Sequence, residues 1–234
     1  NWADPAEQEK LEAVIAAVRQ RNPHIIVLEF SSSAPYAYPN DGTVPEGVWL
    51  KQPDGSFIDG WPGTRMLNLT RPGVLEYLGA KTWISIGPRK FDGSFIDCMM
   101  GCFDWWACNI ESGKPYAVDA DEDGKPDDRE MLDRQWLEAK TTLVRRLRAE
   151  VMPADKVLMA NGAGEWALPY LNGILFEDSL DFVIDRGASW ERFYRRYLEW
   201  TQAPHKPNVT TVVSSSGIEP PFNARQRLSP EEQN

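Results

Sequence analysis

Apolar residues recurring three and four positions apart alternate along this chain with short continuous apolar runs, an alternation that predicts helix and strand in turn. Leu11, Val14, Ile15 and Val18 share one helical face. Their helix opens at Asp4-Pro5-Ala6-Glu7, an N-cap, a proline at the first helical position and an acid at the third; Asn22-Pro23 closes it. Residues 24–30 form a continuous apolar strand ending near Glu29, and residues 72–86 predict a second helix. The next strand, residues 91–97, ends on Asp97. Leu132, Trp136, Ala139, Leu143 and Leu147 make a third helical stripe, with Arg145, Arg146 and Arg148 near the negative end of its dipole. Val157–Asn161 and Gly173–Glu177 read as strands. Trp190, Phe193, Tyr194, Tyr197 and Leu198 mark a further helix, and residues 209–215 a last strand. Trp136, Trp190 and Trp200 are expected in the core.

Two stretches break this rhythm. Residues 31–63 are rich in Pro, Gly, Ser and Asp; within them, apolar segments flank Asp54-Gly55, which predicts a small hairpin. Residues 98–130 form a long loop rich in acidic residues, Cys and Trp. Elsewhere strand and helix alternate, the pattern of a parallel sheet with helices packed on it. About five strands are visible, whereas a closed (β/α)8 TIM barrel has eight and typically ~250 residues. The expected architecture is therefore one α/β domain over residues 1–234, the middle of a barrel lacking flanking strands. The alternative is a complete open α/β sheet.

Two of the apolar runs open on a glycine and end on a carboxylate, at Asp97 and Glu177. A buried strand ending on an acid delivers that acid to the rim of the sheet, where barrel enzymes do their chemistry. Two carboxyl groups in different environments can divide acid and nucleophile or base roles at a glycosidic bond. Glu29 and Asp178 are reserve candidates, and Asn161 is placed to hydrogen-bond a sugar hydroxyl. Asp92, early in its strand, reads as structural. A single strand-end acid more often caps a loop or makes an ion pair; two on neighbouring strands beside Asn161 favour function.

Composition narrows the field. A net charge of −10 offers phosphates no basic field, which argues against a nucleic-acid partner. The two histidines, His24 and His205, both precede predicted strands, away from the rim, so a His-dependent triad or multi-His metal site is not expected. No apolar run approaches a bilayer span.

The segment 91–97, Met66-Leu67-Asn68-Leu69-Thr70 before Pro72, Asn161-Gly162 after a strand, and Gly173–Glu177 together resemble the glycoside hydrolases of the α-galactosidase-like superfamily, with the hypothetical glycosyl hydrolases and endo-polygalactosaminidase-like proteins among them. The order of these motifs over residues 24–215 is more specific than any one. The resemblance implies a (β/α)8 glycosidase (an O-glycosyl hydrolase) acting on α-linked oligo- or polysaccharide, with its strand-end acids at Asp97 and Glu177. The cysteine at position 98 and the missing strands depart from that pattern. An extracellular or cell-surface setting is expected.

Asp119-Ala120-Asp121-Glu122-Asp123-Gly124, followed by Glu130, fits a calcium-loop pattern. Its oxygen ligands would be Asp119, Asp121, Asp123, the Lys125 carbonyl, Asp127 and Glu130. A structural calcium is the expected cofactor, with no organic one; the bland alternative is a solvated acidic loop. Pro126, and the lack of a helix at Gly113-Lys114-Pro115, set it apart from an EF-hand. Trp105 and Trp106 follow Asp97 in the same loop, where indole faces could stack on sugar rings. Cys98, Cys102 and Cys108 would allow one disulfide and one thiol. Two further readings stay open: a non-catalytic, calcium-stabilised carbohydrate-binding or surface protein, and a metal-dependent hydrolase whose acidic loop reaches the rim beside Asp97.

Overall fold

The computed structural model describes residues 5–30, 33–86, 91–103, 116–177 and 189–213. Helix α1 (Pro5–Arg21) leads into β1 (Leu28–Phe30). An excursion carrying β2 (Tyr36–Ala37) and β3 (Arg65–Met66) follows, then α2 (Val74–Ile86) and β4 (Gly93–Ile96). Next come α3 (Arg129–Arg146), β5 (Val157–Asn161), β6 (Gly173–Glu177), the helix Trp190–Thr201, here α4, and β7 (Thr211–Val213). The protein is thus mixed α/β. Its main sheet has five parallel strands in the order β1-β4-β5-β6-β7.

That order never reverses along the chain. Parallel connections are right-handed almost without exception, so an order without reversal puts the connecting helices on one face of the sheet. The side chains agree. Ile96, Leu158, Ala160, Ile174 and Phe176 share a face by register and are all buried in the core. Phe176 meets α4 edge-on, its ring 5.5 Å from that of Phe193. The opposite face carries Phe95, Met159 and Leu175, and ends in Phe30 and Val213, which are 61% and 44% exposed.

The glycine opening each acid-ended strand has a steric cause. A Cβ on Gly93 would fall 1.8 Å from the Val157 carbonyl oxygen, and one on Gly173 would fall 2.7 Å from the Thr210 nitrogen. Neighbouring backbone fills both places.

Helix α3 follows its predicted stripe. Leu132, Trp136, Leu143 and Val144 are buried, and Asp128 caps the N-terminus by accepting the Met131 N–H at 2.9 Å. Trp200 is buried as expected, but Trp190 is 56% exposed. It occupies the first turn of α4, just after the exposed cap Ser189, and meets Phe193 edge-on. The first strand is also shorter than its apolar run. Val27 spends its N–H on the Asp92 carboxylate and its carbonyl on the Asp92 N–H, so ladder pairing starts at Leu28. The Asp54-Gly55 hairpin forms, with Gln52 accepting from Gly55 and donating to Ser56. Among the described residues, no helix is long and apolar enough to cross a membrane.

Candidate active site

Asp97, Asn161 and Glu177 come from the ends of three adjacent strands, β4, β5 and β6, on the face opposite the helices. The Asn161 amide joins the two acids. Its Nδ2 donates to Asp97 Oδ1 at 3.0 Å and to Glu177 Oε2 at 2.6 Å. An amide nitrogen carries two hydrogens, one for each carboxylate. The two accepting oxygens therefore cannot be farther apart than those two contacts laid end to end.

Asp97 is further held by the backbone N–H of Cys98, on Oδ1 at 2.9 Å, and by the Tyr36 hydroxyl, on Oδ2 at 2.9 Å. Among the described residues, its donors are these three, and none carries a formal charge. Glu177 stands exposed at the tip of its strand. Local backbone sets this geometry. Cys98 adopts φ 58, a left-handed conformation that is uncommon for a residue with a side chain, and Gly162 adopts φ 76. Both strands are thus turned off directly after the site residue, and the Met99 N–H to Asn161 carbonyl bond, 2.9 Å long, ties the turns together.

A buried lysine and a half-buried arginine brace the rim from the helix side. Lys140 of α3 donates to the Met100 and Cys102 carbonyls at 3.2 Å each, while Asp133 accepts the Phe103 N–H. Arg196 of α4, over the Phe176 ring, donates to the Ala163 carbonyl at 2.6 Å. Burial pushes the Arg196 guanidinium below its ordinary value.

The other sequence candidates divide. Glu29 does not join the rim: it shares the helix-side face with Ser94, is buried, and accepts the Ser94 hydroxyl at 3.0 Å. A continuous apolar run carries no two-residue alternation, so it does not reveal which way each residue points. Trp105, Trp106, Asp178 and Cys108 lie outside the described residues. Cys98 and Cys102 carry thiols, with no bridge between them. Tyr36 was not foreseen. It comes from a two-residue strand whose pairing, with Met66, is visible only in three dimensions.

In the acidic loop, carboxylate oxygens of Asp119, Asp121 and Asp123 lie within 4.8 Å of one another. Asp119 is buried and turns the loop by accepting the N–H groups of Asp123 and Gly124. Asp127 accepts the Ala120 N–H at 2.6 Å. Burial first, and then the charges of Asp121, Asp119 and Asp123, push its carboxyl above the ordinary range, against that hydrogen bond. Glu130 is not in the gathered group of three; it sits in the first turn of α3, largely exposed, 3.9 Å from Arg134. The loop is bound to the excursion through Lys51, which bridges to Asp119 and pairs with Glu122, through Arg71 on Glu122, and through Asn68 on the Ala120 carbonyl. Among the described residues, no partner of Asp97 comes from positions 119–130.

No family model matches the chain, and no curated protein matches it. Solved structures do. The chain is similar to a cycloalternan-degrading enzyme from Trueperella pyogenes at 17% identity and a TM-score of 0.41, over 86% of this chain and 27% of that one. It is similar to an α-galactosidase from Thermus thermophilus at 15% identity and a TM-score of 0.42, over 92% and 41%. The chain thus spans well under half the length of either enzyme. A likeness of that depth leaves activity to be argued from this chain's own side chains.

Proposed function

We propose that the protein is a retaining glycosidase acting on α-linked oligo- or polysaccharide, built on an arc of a (β/α)8 barrel. The observation that carries the reading is the single amide shared by Asp97 and Glu177. It keeps their near oxygens no farther apart than those two contacts end to end, a limit compatible with the ~5–5.5 Å separation of retaining enzymes. The unreversed strand order, with the acids on the face opposite the helices, supports the barrel arc.

In this reading Asp97, held by three uncharged donors, is the nucleophile, and the more exposed Glu177 is the acid and base. A lone pair on Asp97 attacks the anomeric carbon. The bond to the leaving oxygen breaks with its electron pair, and that oxygen takes the Glu177 proton. Water then yields a proton to Glu177 as its oxygen bonds to the same carbon, and the electron pair of the glycosyl–Asp97 bond returns to the carboxylate. Asn161 keeps the acids in one plane of approach and can exchange a carboxylate for a sugar hydroxyl.

The test is a screen of the full chain against α-linked oligosaccharides and aryl α-glycosides. Release of reducing ends or aryl alcohol, absent in Asp97→Asn, is expected. No release from any α-glycoside, or equal release by the variant, overturns the proposal.

We also propose that the acidic loop holds a structural calcium ion. Three gathered carboxylates form the hard, anionic oxygen set that calcium takes. Asp119, Asp121 and Asp123 would hold the ion, with the Lys125 carbonyl and Asp127 completing the shell. Its role would be to neutralise their mutual repulsion and fix the loop against Lys51 and Asn68.

A further inference from the structure

We propose that Tyr36 is a positioning residue for the reaction: it selects Oδ2 of Asp97 as the attacking oxygen and stabilises the carboxylate as it departs in the second step. This rests on the assignment of Asp97 as nucleophile.

The two oxygens of Asp97 are not equivalent. Oδ1 takes two donors, the Cys98 N–H and the Asn161 amide, both fixed by strand-end backbone. Among the described residues Oδ2 takes the Tyr36 hydroxyl alone. Oδ1 is therefore fully engaged within the rim, and Oδ2 is the oxygen with a lone pair left to attack the anomeric carbon. Tyr36 reaches it from outside the sheet. The ring belongs to the excursion between β1 and α2, and packs against the buried cluster that includes Met66 and Leu67.

The two steps use that hydroxyl differently. When the Oδ2–carbon bond forms, negative charge leaves Oδ2 and the hydrogen bond weakens, so Tyr36 contributes aim but little stabilisation. When water displaces the sugar, the electron pair of that bond returns to Oδ2 and charge builds up where the O–H points. A preorganised donor aimed at developing charge lowers the barrier of that step. Losing the hydroxyl should slow breakdown of the glycosyl–Asp97 intermediate more than its formation.

Tyr36→Phe keeps the ring and removes only the oxygen, so its melting temperature should match wild type. With a dinitrophenyl α-glycoside of the sugar found in the screen, formation is easy and breakdown limits turnover. We expect kcat to fall roughly 10- to 100-fold, KM to fall in parallel, kcat/KM to stay within about threefold, and a pre-steady-state burst of dinitrophenol to appear or grow. Variant kinetics within twofold of wild type overturn the proposal. So does a drop in kcat with a raised KM and a lowered melting temperature, the signature of a loosened structure. If wild type turns over no glycoside, the glycosidase reading itself fails and this inference falls with it.

Discussion

Strand β4 has an aspartate near each end, and the two are used in opposite ways. Asp92, at the N-terminal end, pairs with Arg19 at 2.8 Å and accepts the Val27 N–H at 2.7 Å. It belongs to a stitched edge. Lys156 donates to the Phe91 carbonyl, and Arg148 donates to the Tyr170 and Lys156 carbonyls and to Asn172. Asn172 in turn accepts from Leu158 and donates to the Pro207 carbonyl. These bonds close the starts of β4, β5 and β6, with buried or half-buried cations spent on fixed acceptors. Asp97, five positions along, has only neutral donors among the described residues and faces a second acid across an amide. A carboxylate locked to an arginine is a poor nucleophile; one held by neutral donors keeps its direction and its reactivity. In the proposed function the sheet is stabilised at one edge and does its chemistry at the other, the division that barrel enzymes make between their bottom and top faces.

The largest way to break this comparison is Asp97→Asn. Turnover should fall roughly a thousandfold or more while the melting temperature changes little, because the side chain contributes no core packing. A melting temperature that fell with the activity would move Asp97 to the structural side. Glu177→Gln should lose about 10²- to 10⁴-fold on substrates with poor leaving groups, and much less on dinitrophenyl glycosides, which need no protonation. Equal losses on both would remove Glu177 as the acid.

Asp92→Ala should do the reverse. Loss of a half-exposed ion pair and one hydrogen bond costs about 1–2 kcal/mol, read as a lower urea midpoint, with kcat within twofold of wild type. A tenfold loss of kcat without loss of stability would show that the two ends are not separate. The smallest effect on turnover is expected at the acidic loop. Calcium at a hundredfold excess over Kd should raise the melting temperature by roughly 5 °C, and Asp121→Ala should abolish the rise without touching turnover. No shift in wild type, or the same shift in the variant, would return the loop to plain acidic surface.

Much of this contrast is legible in the sequence. Strands β5 and β6 begin and end where their apolar runs do, and Asp97 and Glu177 could be singled out because two acids close neighbouring runs beside Asn161. Asp92 was separable from Asp97 by its place in the strand. What a linear pattern cannot carry is register across strands. Glu29 closes an apolar run as Asp97 does, yet its pairing with Ser94 turns it to the helix side. Tyr36 lay hidden for the same reason, since its strand exists only through Met66, far along the chain. Trp190 reads as core on a helical wheel, but its place at the start of α4 leaves it exposed, a boundary effect that periodicity does not encode.

The central claim is that Asp97 forms a bond to the sugar. Incubation with a 5-fluoro-α-glycosyl fluoride of the preferred sugar should trap that bond, because the ring fluorine slows both steps while the good fluoride leaving group keeps the first one fast. Peptide mass spectrometry should then find the added mass of one glycosyl unit on the fragment containing Asp97, and none in Asp97→Asn. An adduct on Glu177 or on any other residue, or inversion at the anomeric carbon with no adduct from an active protein, would contradict the account.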